Sequence, residues 1–120
     1  MSLIKIKHYT KDTLNEAVIE QLHQLSPDSL TPYFQQYGTE PDRIAHCFTA
    51  SNNNTVLGFA LLSTLHEVAT LHSLFIKKEC RGKSLGRKLC LHLLAKAVKF
   101  GCKKVELESK KSQLNFFKNL

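Results

Sequence analysis

The segment from residue 74 to residue 89 combines the residue types most suited to binding a charged group. An apolar run enters a basic turn that contains Gly82, and Gly86 stands at the start of an amphipathic stretch. The first-turn N–H groups and the dipole of a helix attract anions, and glycine lets a diphosphate approach the backbone closely. This pattern predicts a phosphate-binding turn. The alternative is an ordinary strand–helix connection with a basic surface.

Basic residues are concentrated in the same segment. One acid, Glu79, stands among six cations: Lys77, Lys78, Arg81, Lys83, Arg87 and Lys88. The 120-residue chain has a formal net charge of +7, which attracts nucleic acid, an acidic membrane or a phosphate-bearing small molecule. Nucleic acid is the least favoured partner, because aromatic residues make up only 8% of the chain and no nucleic-acid-binding motif is present.

The hydrophobic pattern predicts the elements that must position this turn. Period-two alternation and apolar runs predict strands over residues 3–8, 44–50, 55–64, 68–77 and 105–108. Apolar residues at helical spacing predict one helix from a capping box at residues 13–16 to Leu25 and another over residues 84–100. A cap, a first-turn proline and a terminating glycine predict a short helix over residues 31–38, and residues 113–120 are predicted as a last helical segment. Gly58, inside a strand, predicts a bulge or a close approach of two backbones.

This order of elements predicts a single α+β domain over residues 1–120. Three consecutive strands form an antiparallel meander. The strand at 68–77, the helix at 84–100 and the strand at 105–108 form one parallel βαβ unit. The expected fold is therefore a mixed, mainly antiparallel sheet with flanking helices.

Composition also restricts the compartment and the cofactors. No apolar run approaches the roughly 20 residues of a membrane-spanning helix, and the N-terminus does not resemble a signal peptide. The four cysteines and six histidines show no metal-binding spacing and no disulfide framework. We therefore expect a cytoplasmic protein with reduced thiols, no metal and no membrane partner.

The basic turn resembles the coenzyme-binding motif of the GNAT N-acetyltransferases, commonly written Q/R-x-x-G-x-G/A. Arg81 matches the first position and Gly86 the last, and Gly82 and Leu85 are typical residues between them. Ser84 stands where the motif has its first glycine, which is expected to weaken coenzyme binding. Nearly the whole chain follows the order of elements of this family.

The resemblance implies a binding site for acetyl-CoA as co-substrate. Backbone groups of one strand would pair with the pantetheine arm of the coenzyme: Leu74, Phe75 and Ile76. The turn and the first helical turn would hold the diphosphate: Arg81, Gly82, Lys83, Ser84, Leu85, Gly86 and Arg87. The parallel strands that carry Ile76 and Val105 would splay apart, so that the thioester reaches its acceptor through the gap.

The resemblance also makes His72 the candidate catalytic residue. It lies four positions before Ile76, where some relatives, including the diamine acetyltransferases, place a catalytic glutamate. Free histidine titrates at about pH 6.5, so this residue type can accept a proton from an amine at neutral pH. The alternative is a histidine that only packs and hydrogen-bonds within a strand. Three rival carboxylates are expected at the surface: Glu67, Glu106 and Glu108.

The C-terminal part departs from the family pattern. The family's last motif has a tyrosine, which protonates the departing thiolate, where this chain has Phe117. We expect the last two strands of the usual fold to be missing, which would leave the strand at 105–108 as an exposed edge. An apolar patch of Phe116, Phe117 and Leu120 then predicts a homodimer formed through the C-terminal segments.

Three functions fit these features. The first is transfer of an acetyl group from acetyl-CoA to a primary amine by direct attack, and it is the one we expect. The second is an acyl-CoA-binding module with little or no catalysis, as Ser84 and Phe117 suggest. The third is a basic nucleic-acid-binding domain. The sequence does not identify the amine acceptor.

Overall fold

Five strands and two α-helices have bounds in the part of the chain that the computed structural model describes, residues 3–27, 33, 35, 41–82 and 84–108. The strands are β1 (Lys5–Thr10), β2 (Ile44–Asn52), β3 (Thr55–Leu65), β4 (Val68–Ile76) and β5 (Lys104–Leu107). The helices are α1 (Glu16–Leu25) and α2 (Leu85–Lys99), and a short 3-10 helix covers Lys78–Cys80.

The strands form one sheet in the order β1-β2-β3-β4-β5. Neighbours from β1 to β4 pair antiparallel, whereas β5 pairs parallel with β4. Helix α2 lies between these two parallel strands in the chain, so the predicted βαβ unit is present. The α+β class and the mixed, mainly antiparallel sheet are confirmed.

Of the helices with described bounds, α1 packs on one face of the sheet and α2 on the other. The α2 face packs against the helical stripe predicted from the sequence, Leu85, Leu89, Leu93 and Ala97, and buries Phe48, Ala50, Ala60, Leu62, Ala69 and Leu71. The α1 face packs against Leu22 of α1 and buries Tyr33, Ala45, Cys47, Val56, Phe59 and Leu61. Apolar side chains on both faces make β2 and β3 the buried centre of the domain.

The hairpin between β2 and β3 is tighter than predicted. Asn53 and Asn54 have φ of 49° and 70°, as the two central residues of a type I′ turn require, and asparagine tolerates this conformation well. Asn52 therefore still pairs with Thr55, and β2 ends two residues later than the predicted bound of residue 50.

The predicted capping box of α1 is wrong. The N-cap is Asn15, whose Oδ1 accepts a hydrogen bond from the N–H of Val18 at 2.9 Å. Oγ1 of Thr13 instead accepts from the N–H of Thr10 at 2.7 Å, within the turn that precedes the helix. The side chain of Thr13 is therefore used within the turn and does not cap the helix. The helix begins at Glu16, directly after its N-cap Asn15.

Gly58 has both features predicted for it. The register between β2 and β3 shifts next to it, because Ala50 pairs with Gly58 while Ser51 pairs with Val56. A Cβ at Gly58 would also lie only 2.8 Å from the carbonyl oxygen of Phe75 in β4. Glycine is therefore needed here for the close contact between β3 and β4.

Two predicted helices lie mainly outside the described residues. Within residues 31–38 only Tyr33 and Gln35 are described, and both are helical. The helix predicted over residues 113–120 lies wholly outside, as do Phe116, Phe117 and Leu120. No helix in the described ranges is long and apolar enough to cross a membrane.

Candidate active site

The described pairing of β4 with β5 covers Val68 to Leu71. Their ladder ends where Leu71 pairs with Leu107, and the N–H of Glu108 donates to the carbonyl of Leu71 at 2.8 Å. Strand β4 continues to Ile76 in contact with β3. The first residue of β4 beyond this ladder is His72, and the predicted splay between the parallel strands stays a prediction, because the chain after Glu108 lies outside the described residues.

His72 is the extra residue of a β-bulge in β4. Leu71 and Ser73 pair with consecutive residues of β3, which leaves His72 between them. Beyond the bulge the alternation is reversed, so that Leu71 and Leu74 both pack on the α2 face. The imidazole of His72 contacts Ser63, a residue of β3 that follows the α2-face residue Leu62. Because His72 follows the α2-face residue Leu71, alternation directs its side chain to the α1 face, and the bulge changes the facing of the residues that come after it.

The imidazole of His72 has a polar neighbour at each nitrogen. Nε2 lies 2.7 Å from Oγ of Ser63, and Nδ1 lies 3.2 Å from Oε2 of Glu108, within ion-pair distance. The ring of Tyr33 lies above it, with 5.4 Å between ring centroids. The side chain of His72 is 5% exposed and that of Glu108 is 63% exposed. The pair therefore connects a buried imidazole to an accessible carboxylate at the splay.

Arg43 extends this set of contacts on the buried side. Its Nη1 donates to Oγ of Ser63 at 2.9 Å, and Ser63 is completely buried. A guanidinium group has donors only, so Oγ of Ser63 must be the acceptor of this bond. A continuous series of polar contacts thus joins Arg43, Ser63, His72 and Glu108. We call these four residues the His72 network.

The end of β4 leads directly into the basic turn. The N–H of Lys77 donates to the carbonyl of Leu57 at 2.8 Å, which holds the strand end against β3. Nε of Arg81 donates back to the carbonyl of Ile76 at 3.0 Å, and its guanidinium lies 5.9 Å from the ring centroid of Phe75. Arg81 therefore folds over the end of the strand and closes the turn.

The turn delivers the N-terminus of α2 beside the end of β4. Gly82 and the N-cap Ser84 have φ of 79° and 63°, the left-handed conformation that favours glycine. The first hydrogen bond of the helix runs from the N–H of Lys88 to the carbonyl of Ser84 at 3.0 Å. The N–H groups of Leu85, Gly86 and Arg87 precede this ladder and have no partner within the helix. A first helical turn with such free N–H groups is suited to binding an anion.

The structure describes all but one of the predicted binding residues. Leu74 and Ile76 pack their side chains on the α2 face, while Phe75 packs on the α1 face. Leu85 and Gly86 are buried, and the exposed residues of the turn are Arg81, Gly82, Ser84 and Arg87. Lys83 lies outside the described residues. The others lie along one continuous strand, turn and helix start, which begins at the splay.

A second histidine cluster lies on the α2 face. Nε2 of His8 and Nδ1 of His46 are 2.8 Å apart, and Nε2 of His46 lies 3.0 Å from Oγ1 of Thr64. Phe100 stacks on the ring of His46, with centroids 4.8 Å apart and 12° between the planes. Burial, and secondarily the charge of His8, lowers the pKa of His46 to about 4. Among the described residues, no group of three or more His, Cys, Asp or Glu is placed to hold a metal ion.

Comparison with known proteins identifies the family. A family model described as "Acetyltransferase (GNAT) family" matches residues 11–120. The chain belongs to the GNAT acetyltransferase family. No curated protein sequence matches it.

Solved GNAT structures share this fold at low sequence identity. The aminoglycoside N-acetyltransferase AAC(6')-Iy, in complex with CoA, superposes with a TM-score of 0.70 and 17% identity over 99% of this chain and 85% of that one. An aminoglycoside acetyltransferase, meta-AAC0020, from an uncultured soil metagenomic sample, gives 0.73 and 16% over 97% and 86%. A ribosomal-protein-alanine N-acetyltransferase from Brucella melitensis biovar Abortus 2308 gives 0.71 and 16% over 98% and 88%.

Sequence reasoning missed two of the four residues of the His72 network. Glu108 was expected at the surface, and it is exposed, but its carboxylate reaches His72. Ser63 and Arg43 were not singled out at all. One signal was available for the bulge: the α2-face residues Leu71 and Leu74 are separated by an odd number of positions, which simple alternation does not allow.

Proposed function

We propose that this GNAT protein transfers an acetyl group from acetyl-CoA to a primary amine by direct attack. The observation that carries the proposal is that β4 passes beyond its ladder with β5 and leads, through a basic turn, into the first turn of α2. A thioester lying along β4 would have its diphosphate at the helix N-terminus and its acyl group at the splay. Family membership and the CoA bound in one related structure support this donor.

The turn suits a diphosphate in charge and in backbone conformation. Left-handed φ at Gly82 and Ser84 curves the chain into α2, whose first-turn amides of Leu85, Gly86 and Arg87 are directed toward the preceding turn. The exposed cations Arg81 and Arg87 add electrostatic attraction. These residues, together with Lys83 and the β4 segment Leu74, Phe75 and Ile76, form the proposed acetyl-CoA site.

The proposed reaction needs a proton acceptor beside the attacking amine. The amine nitrogen bonds to the acetyl carbon, the carbon–sulfur bond breaks, and CoA leaves as a thiolate that takes a proton from solvent. The nitrogen must lose one proton during or after attack. His72 and its neighbour Glu108 lie at the start of the splay, and we propose that the base belongs to this pair.

Calorimetric titration with acetyl-CoA tests the binding site. Gly86→Glu places a carboxylate at the first turn of α2, against the helix dipole, and is expected to weaken binding at least about 100-fold. Ala95→Glu adds the same charge to an exposed position of the same helix and serves as the control, with affinity within about twofold of wild type. Because Gly86 is buried, the exposed Arg87→Glu provides a second test in case Gly86→Glu does not fold. Undiminished affinity in a folded variant of either kind would contradict the site.

An acyl-CoA-binding module with little catalysis is the second candidate. It is favoured by one observation: Ser84, a residue with a Cβ, occupies a left-handed N-cap and makes no capping hydrogen bond with its side chain. This strained cap is expected to weaken the anion site rather than to remove it. Tight acetyl-CoA binding without thiol release over a panel of primary amines would select this candidate.

Assembly and compartment complete the proposal. All four residues of β5 are exposed, and the apolar residues Val105 and Leu107 are each about two fifths exposed to solvent. An exposed apolar edge strand supports a homodimer formed at this edge. Analytical ultracentrifugation of the full chain at micromolar concentration tests it, and a monomer there would contradict it.

The four cysteines are free thiols, which supports a reducing compartment such as the cytoplasm. We also propose that residues 1–120 form one acyl-CoA-binding domain.

A further inference from the structure

Helix α2 carries a row of exposed apolar side chains on the side that faces away from the sheet. Leu91 is 50% exposed and Val98 is 72% exposed, and the exposed Ala95 lies between them. Positions 91, 95 and 98 have the i, i+4, i+7 spacing that places residues on one face of a helix. The opposite face of α2 packs on the sheet. The helix therefore has a second apolar stripe, which the described part of the domain leaves exposed.

Cations accompany this row, and no acid lies among them. Lys99 is exposed and stands four residues after Ala95, a neighbouring position on the helix surface, and Lys96 is half-buried. No aspartate or glutamate occurs in the sequence from Gly82 to Cys102, although a solvated helix commonly has acids among its cations. We call five residues the α2 outer surface: Leu91, Ala95, Lys96, Val98 and Lys99.

The histidines beside the α2 outer surface report the same excess of positive charge. Burial, and then the charges of Lys96 and Lys99, lowers the pKa of His92 on α2. Burial, and then the charges of Lys96 and His92, lowers the pKa of His8 on β1. The charges that act on both imidazoles are basic groups. An anionic partner would therefore be attracted to this side of the domain.

The proposed coenzyme site does not account for the lysines of the α2 outer surface. That site uses the first turn of α2, and Lys99 lies about 20 Å along the helix from Gly86, at a rise of about 1.5 Å per residue. Cations near a helix C-terminus also interact favourably with the helix dipole, but this effect does not require exposed aliphatic side chains beside them. The combination of both features fits a partner that is anionic and also accepts apolar groups.

The chemistry of the surface distinguishes between three such partners. A second copy of the chain is disfavoured, because a two-fold contact would place the cations of one copy against the same cations of the other. Single-stranded nucleic acid is disfavoured, because it binds by stacking on aromatic side chains and the α2 outer surface has none. The surface of a bilayer with anionic lipids satisfies both requirements. Its headgroups attract lysine, and the boundary between headgroups and acyl chains accepts leucine and valine.

We propose that the protein binds the surface of anionic membranes through α2, which lies in the plane of the membrane without crossing it. Leu91 and Val98 enter the boundary between headgroups and acyl chains, while Lys96 and Lys99 contact the headgroups. Lysine suits this position, since its aliphatic stem can lie along apolar groups while the ammonium stays in polar surroundings. The proposal goes beyond the acetyl transfer proposed above, and it replaces the expectation that the protein has no membrane partner.

Co-sedimentation of the full chain with lipid vesicles tests the role of the lysines. Binding is expected to phosphatidylcholine vesicles that contain phosphatidylserine, and to be much weaker with phosphatidylcholine alone. Lys96→Glu/Lys99→Glu should weaken binding at least about 25-fold, since each cation near an anionic surface contributes about fivefold to the affinity.

A second double variant controls for net charge. Lys5→Glu/Lys7→Glu makes the same change of charge at exposed residues of β1, on the side opposite to Ile4 and Ile6, which pack on the α2 face. It should lose far less affinity for the vesicles. Equal losses in the two double variants would overturn the proposal, because only the total charge would then matter.

The apolar part is tested by a variant that changes no charge. Leu91→Gln/Val98→Gln should weaken vesicle binding at least about tenfold. Ile44→Gln removes an apolar side chain that is 53% exposed at the start of β2 and should leave binding unchanged. Full binding by Leu91→Gln/Val98→Gln would overturn the insertion of α2. None of the substituted residues belongs to the proposed acetyl-CoA site, so a variant that keeps the coenzyme but loses the vesicles reports on the surface and not on folding.

Polyuridylate and polyglutamate, each added alone to the wild-type protein, test the other anionic partners. Both are expected to bind more weakly than the vesicles that contain phosphatidylserine. Tight binding of either polymer without vesicle binding would overturn the membrane proposal, as would a wild-type protein that binds acetyl-CoA but no vesicles. A wild-type protein that binds these vesicles but not acetyl-CoA would instead contradict the proposed function alone.

Discussion

Each face of the sheet carries a histidine that is hydrogen-bonded to a hydroxyl group, yet the two sites differ in access to solvent. On the α1 face, His72 bonds Ser63 and reaches the exposed carboxylate of Glu108. On the α2 face, His46 contacts Thr64 and is covered by the ring of Phe100, with 4% of its surface exposed. The two histidines therefore differ in the group that each one reaches: an exposed carboxylate, Glu108, for His72 and a half-buried imidazole, His8, for His46.

The electrostatic surroundings differ in the same way. His46 is bonded to another histidine, His8, and the pKa of His8 is itself lowered by burial and then by the charges of Lys96 and His92. Neutral imidazoles are therefore favoured throughout that cluster. His72 instead faces the carboxylate of Glu108. The α2-face cluster is suited to stable packing, and the His72 network is suited to handling a proton.

Parallel glutamine substitutions should give the largest contrast between the two faces. We expect His72→Gln to lower kcat about 10- to 100-fold, because the pair proposed to supply the base, His72 and Glu108, loses its imidazole. His46→Gln can keep a hydrogen bond to Thr64 and should leave kcat within about twofold. Steady-state thiol release measures both, with folding checked by circular dichroism. Equal losses in the two variants would contradict the functional distinction between the faces.

Acidification should weaken the fold through the α2 face. The pKa of His46 is about 4 in the folded protein against 6.5 as its ordinary value, so the unfolded chain binds more protons between these two limits. The free energy of unfolding should therefore be fully present above pH 6.5 and fall by about 2–3 kcal/mol as the pH drops to 4. The lowered pKa of His8 acts in the same direction.

Urea titrations from pH 7.5 to pH 4 measure this dependence. His46→Gln, which has no proton to gain at this position, should flatten the curve, whereas His23→Gln serves as a control at a histidine on α1 and should follow wild type. An unchanged slope in His46→Gln would show that the pH dependence arises elsewhere in the chain.

Relief of the strained cap of α2 should give the smallest effect. Ser84→Gly removes the Cβ from a residue with φ of 63° and is expected to raise the free energy of unfolding by about 1 kcal/mol. Ser84→Ala keeps the Cβ and should bring no gain, since the serine side chain makes no capping bond. Chemical denaturation of the three proteins tests this. A gain in the alanine variant equal to that of glycine would contradict strain as the cause.

The fold was predictable from the sequence because its signals are local. The hydrophobic pattern of a segment indicates which of its residues are buried, as in the alternation of β1, the apolar runs of β2 and β3, and the apolar stripe of α2. A short βαβ crossover is almost always right-handed, so β4 and β5 were expected to pair in parallel. The glycine-containing turn before α2 was found in the same way. Element bounds were less accurate, since Asn15 and Thr13 are both good caps and the tertiary turn decides between them.

The His72 network could not be predicted, because its contacts are not local. Ser63 lies on β3, His72 on β4 and Glu108 directly after β5, so their contact depends on how β4 pairs with both neighbouring strands. The family resemblance identified His72 by its position four residues before Ile76. The spacing of residues in the sequence indicates neither that its side chain is buried nor that an accessible carboxylate lies beside it.

Thiol release from acetyl-CoA over a panel of primary amines is the most direct test of the central claim. We predict that release by the wild-type protein depends on both the coenzyme and an amine, and that it is lost in Arg87→Glu, whose substitution lies at the first turn of α2. A protein that binds no acetyl-CoA, or that releases thiol at the same rate with and without an amine, would contradict the claim.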